Sequence, residues 1–185
     1  MFKTRVGASL LALSVVMMTS MNTRPAMAAS AVEISRDVNA ALAKLYASVP
    51  EAKALGTKAR AILVFPSIVK AGFMFGAQYG EGALRQRGKT TGYYNTIAAS
   101  YGYQVGLQAF GYVLFFMRDS ALQTLDRSGG FEVGVGPSVV VLDAGAAKAL
   151  TTTTVQSDVY AIIFDQTGLM AGAGIQGSKI SRMDR

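Results

Sequence analysis

The chain has 185 residues, 51% of them hydrophobic and 16% charged, which suits one compact domain with a sizeable core and excludes a disordered or multidomain chain. It contains no cysteine and no histidine, so a disulfide framework, a thiolate or imidazole metal site, a Ser-His-Asp triad and a Cys-His pair are all excluded. The formal net charge of +7 favours anionic partners, but part of it sits in a segment read as a leader.

That leader is the N-terminus. Lys3 and Arg5 precede an apolar run over residues 6–18, and a short polar stretch leads to "PAMAAS". The pattern is that of a secretory signal, with Ala26 and Ala28 at the small-residue positions and cleavage expected after Ala28. The run is shorter than the ~20 residues that span a bilayer, and no cysteine is available for lipid attachment. Residues 1–28 are therefore expected to be removed, leaving a single domain over 29–185 in a periplasm or outside the cell, free or peripheral on a membrane. Without Lys3, Arg5 and Arg24, 15 basic residues face 11 acidic ones, a net charge of +4. This modest excess suits anionic surfaces such as phospholipid headgroups, or serves only to keep the protein soluble; nucleic acid is not expected as a partner.

Residues 31–49 place Ile34, Val38, Ala41, Leu42, Leu45 and Val49 three and four apart, which predicts an amphipathic helix packed on the core. Pro50 opens a second short helix, expected to end at Gly56, and Lys53, Lys58 and Arg60 cluster there. From Ala61 the period changes to two. "AILVF" reads as a buried strand closed by Pro66, and "GFMFGAQYGEGALRQRG" as a second strand ending in a hairpin tip over residues 85–92. "YYNTIAAS", "YGYQVGLQ" and "GYVLFFM" follow as strands, then a short helix over 119–128. "GFEVGVG" repeats the strand pattern, residues 143–154 read as a loop and an edge strand, and "DVYAIIF", "DQTG" and "LMAGAGIQGSKI" as a closing hairpin.

In these strands one parity is given to glycine and glutamine: Gly76, Gln78 and Gly80, then Gly102, Gln104, Gly106 and Gln108, then Gly172, Gly174 and Gln176. A strand glycine costs entropy and packs nothing, so its recurrence marks either a crowded face where another layer of backbone comes close or a cleft kept open for an acyl chain or another ligand. The expected fold is α+β: a curved, mainly antiparallel sheet or barrel-like core, with the N-terminal helix and short helices packed on it. An eight-stranded outer-membrane barrel is the competing architecture. Catalysis has little to work with: Glu81, Glu132 and Asp143 share no motif and read as turn or surface groups, and "GVGPSVV" lacks the lysine of a phosphate loop. No enzyme activity, metal or cofactor is expected.

The residues "ILVFPSIVKAGFMFGAQYGEGAL", with Phe65, Pro66, Lys70, Ala71, Gly72, Phe73, Gly80 and Gly82, and the distant set Gly168, Leu169, Gly172, Gly177 and Ile180, together resemble the SYLF domain family. This is a lipid-binding domain whose yeast members also bind actin; the similarity spans roughly residues 50–182. The resemblance implies binding of acidic lipids by basic residues near the N-terminal side, here Lys53, Lys58, Arg60 and Lys70. The export signal and the lack of an attached SH3 or FYVE module speak against actin and phosphoinositides, and for phosphatidylglycerol, cardiolipin or another anionic lipid. The alternative is an envelope structural or adaptor protein that binds another protein through strand edges or through Tyr93, Tyr94, Tyr101 and Tyr103. The basic group Arg85, Arg87 and Lys89 reads as a solvated hairpin tip.

Overall fold

The structure is a computed structural model that describes residues 29–127, 131–132, 138–149 and 156–185, with the backbone alone at 103–104, 131–132 and 171–177. The leader, the second half of "GFEVGVG" and residues 150–155 lie outside the described residues.

Helix α1 (Ala31–Ser48) starts at a capping box: Ser30 Oγ accepts from the Glu33 amide at 3.3 Å while Glu33 Oε2 accepts from the Ser30 amide at 2.8 Å. Its buried face is Ile34, Val38, Ala41 and Leu45, as the spacing predicts. Helix α2 (Pro50–Lys58) follows directly, with proline in its first turn. It continues through Gly56 rather than ending there. A β-carbon at Gly56 would lie 2.4 Å from the Tyr46 hydroxyl oxygen, so this glycine makes room for a side chain of α1 and is no helix stop.

Three long strands carry the sheet: β1 (Ala61–Gln86), β2 (Lys89–Phe116) and β5 (Val159–Met183). Between β2 and β5 come α3 (Asp119–Leu125), β3 (Phe131–Glu132), β4 (Val139–Asp143) and α4 (Ala144–Ala147). The order is β1-β2-β5-β3, antiparallel throughout, while β4 lies parallel against the start of β5. Pro66 does not divide β1 into two strands. It falls at a register shift between Phe65 and Ile68 on the edge strand, where a residue without an N–H costs no ladder bond. Nor does "DQTG" reverse the chain: β5 runs through it, Asp165 (φ 53°) and Gly168 (φ 83°) lying beside a register shift opposite Ala109 and Gly111. The sequence reading has no parallel strand at β4.

The long strands bend sharply in the middle and return on themselves, giving a half-barrel. Leu63, Phe65 and Ile68 from the start of β1 share a buried cluster with Leu84 from its end, Tyr94, Leu114 and Phe116 of β2, and Val159 and Ile180 of β5. The glycine parity is the inside of this fold. A β-carbon on Gly82 would stand 2.1 Å from the Val64 carbonyl oxygen, and one on Gly80 2.7 Å from Ile68 Cγ1. At the bend, one on Gly72 would stand 2.8 Å from Gly76 Cα. Gln78 and Ser100 are buried on the same side; Gln104 and Gln176 lie outside the described side chains. On the outer face Val64, Ala83, Val113, Phe115, Ile162 and Phe164 pack under α1 and α2. Helices thus cover this part of the outer face, which an outer-membrane barrel would turn to lipid.

Candidate functional site

Because β1 doubles back, its last residues return beside its first. The turn joining β1 to β2 is two residues long, Arg87 (φ 49°) and Gly88 (φ 78°), both left-handed as a tight hairpin of this twist requires. It sets Arg85, Arg87 and Lys89 opposite Lys58 at the end of α2 and Arg60 in the link just before β1. Between them lies a cleft of about 1020 Å³. Its polar side holds those five cations and one carboxylate, Asp119; its apolar side includes Leu42, Tyr46, Ile62 and Leu122.

This lining carries a net charge of +4, the whole excess of residues 29–185, so the remaining surface is balanced at ten basic against ten acidic residues. Arg85 is held in place, its guanidinium donating to Asn39 Oδ1 on α1 and to the Gly88 carbonyl. Arg60 lies 3.9 Å from Asp119 and is largely exposed, a pairing that leaves its charge available to a ligand. Burial pushes the Tyr46 phenol pKa up, and the Arg85 charge counters part of that rise. A wall of fixed and flexible cations facing an apolar wall fits a molecule with a phosphate at one end and hydrocarbon at the other. Among the described lining residues the one carboxylate, Asp119, is exposed and paired with Arg60.

Of the four basic residues expected from sequence, Lys58 and Arg60 line the cleft. Lys53 is exposed on α2 outside the lining, and Lys70 sits in register with Gln108 on the inner face toward the bend, half-buried and with a partner. Arg85, Arg87 and Lys89, read from sequence as a solvated tip, form more than half of the cationic wall. The charge run itself was visible; its meeting with Lys58 and Arg60 depends on the bend in β1.

Two carboxylates singled out by the sequence have structural tasks. Glu81 accepts from Arg185 at 3.0 Å and from the Tyr79 hydroxyl at 2.6 Å, and Asp143 caps α4 by accepting from the Ala146 amide at 2.7 Å. Among the tyrosines offered as a docking surface, Tyr94 is fully buried and donates to Asp126 at 2.8 Å, and Tyr93 shares a hydrogen bond with Ser35 on α1. Tyr101 is exposed, and the side chain of Tyr103 is outside the described set.

Compared with known families, residues 97–185 match the model named Ysc84, described as Las17-binding protein actin regulator. The matched segment holds most of β2 and all of β5, including Gly168, Leu169, Gly172, Gly177 and Ile180; of the cleft it contains Asp119 and Leu122. A comparison with curated proteins gives no match.

Proposed function

We propose, from the match of residues 97–185 to the Ysc84 family of binding domains, that this chain binds anionic phospholipid at a membrane surface of the cell envelope, through the basic cleft and without catalysing a reaction. The observation that carries the reading is the convergence of Lys58, Arg60, Arg85, Arg87 and Lys89 around one cleft with an apolar wall. Each cation near an anionic surface contributes about 1 kcal/mol, so five suffice for reversible attachment, and the apolar wall accepts the first methylenes of an acyl chain. The envelope location is supported by the leader pattern of residues 1–28. Protein recovered from a periplasmic fraction should therefore begin at Ala29; a full-length chain retained in the cytoplasm would refute that part.

Co-sedimentation with vesicles tests the binding. The protein should pellet with phosphatidylglycerol vesicles and stay in solution with phosphatidylcholine. Replacing Lys58 and Arg60 by glutamate, or Arg87 and Lys89, should weaken binding by ~30-fold or more, since two lost cations remove about 2 kcal/mol and 1.4 kcal/mol is a factor of ten. Lys53→Glu with Lys70→Glu should change it less than either cleft pair. Inorganic phosphate and purified actin serve as competing ligands. Equal recovery on both vesicles, or filaments that bind while vesicles do not, would reject the lipid.

A further inference from the structure

The outer face of the sheet is covered by α1 and α2 near the cleft, but at the bend nothing among the described residues covers it. Phe73, Phe75, Tyr101, Val105, Leu107 and Leu169 stand there between 56% and 87% exposed. They form one continuous patch, because the ladder sets Phe73 against Val105, Phe75 against Tyr101 and Leu107 against Leu169. The Phe75 and Tyr101 rings are 5.1 Å apart. With ~200 Å² for each aromatic side chain, the six present roughly 700 Å² of apolar surface. That exceeds the ~300–600 Å² of the largest patch on an ordinary monomer and approaches the ~800 Å² that each partner gives to a stable interface. The half-exposed Tyr79 and Ile97 on the same face carry it further.

The chemistry narrows the occupant. Residues 71–79, 97–108 and 166–178, which make up the bend in all three strands, contain no Asp, Glu, Lys or Arg. A partner recognised by charge would find nothing to pair with; one bearing the same uncharged face would lose nothing on burial. A bilayer fits less well, because β1 is an edge of the sheet and its outward amides at the bend have no strand partner among the described residues, which hydrocarbon penalises. The bend also lies about twelve residues of strand from the cleft, a contour of up to roughly 40 Å, so the apolar face is separate from the basic one.

We propose that the apolar outer face of the bend is a self-association surface on which a second copy of this chain packs face to face about a two-fold axis, leaving the two basic clefts at the outer ends of the dimer. A two-fold operator buries the same patch on both partners and ends the assembly at two, which a self-complementary sheet face requires.

Light scattering on protein recovered from expression of the full chain measures the mass directly. The expected mass is twice that of one chain, and Phe75→Asp with Leu107→Asp should halve it. The cleft variant Lys58→Glu with Arg60→Glu should leave it doubled. Both positions are exposed, so the aspartate variant should keep the thermal midpoint of the parent; should it fail to fold, Tyr101→Lys gives the same readout. A single-chain mass at every concentration overturns the proposal, as does a doubled mass that neither variant changes. So does a monomer whose binding to uncharged phosphatidylcholine vesicles is abolished by the aspartate pair, which would make the face a bilayer contact.

Discussion

A methyl group at Gly82 would meet the Val64 carbonyl oxygen at 2.1 Å and Phe65 Cδ1 at 2.8 Å, and neither backbone nor buried ring can retreat from it. At Gly88 the surroundings are open, nothing lying within 4 Å of a β-carbon, and the obstacle is a φ of 78° alone. These two glycines separate the two reasons for the residue, closeness and conformation. Gly82→Ala should cost about 3 kcal/mol or more, the upper range for overpacking, while Gly88→Ala should cost ~1–2 kcal/mol, the left-handed penalty for one residue. Denaturant unfolding of both variants checks the order; equal losses would mean that the two halves of the sheet do not press together. That glycine marked a crowded face was legible from its alternation. Which atoms crowd it was not, because Val64 and Gly82 are 18 residues apart in one strand.

At the scale of the element, apolar spacing located α1, whereas single breakers misled: Gly56 lies inside α2, and Pro66 and "DQTG" lie inside long strands. The Ser30 and Glu33 capping box is a short-range pattern whose geometry depends on four residues, and removing it by Ser30→Ala should cost about 1 kcal/mol of stability, read as a lowered unfolding midpoint. An unchanged midpoint would show that α1 is held by its buried face alone. Pro66 and "DQTG" are ordinary breakers, and in a short sheet they would have ended strands. Here β2 runs along both sides of each interruption, so its ladder resumes after a bulge and the breaker becomes a local irregularity. The same reasoning accounts for β4. Its apolar run pairs in parallel with the distant β5, and a parallel partner leaves no turn signal nearby.

For the whole molecule, charge and hydrophobicity are sorted to opposite ends of one folded sheet. With the net charge of residues 29–185 gathered at the cleft, vesicle binding should fall steeply as salt is raised, and replacing a cleft pair should flatten that dependence. Recovery insensitive to salt would mean that the cleft does not make the contact. The dimer contact at the bend, being free of charge, should hold over the same range.

Composition, periodicity and glycine alternation were enough by themselves to point to an α+β domain with a curved, mainly antiparallel sheet, an amphipathic first helix, and a chain without histidine or cysteine. Those properties are local or additive, so each stretch of chain carries its own share of them. The meeting of two basic clusters 25 residues apart, from Arg60 to Arg85, and the exposure of the apolar parity at the bend were decided by the fold of three strands upon themselves. A strand's pattern records that it has two faces. Which face turns inward, and what its far end returns to, follows from how closely the glycine backbone lets the two halves approach.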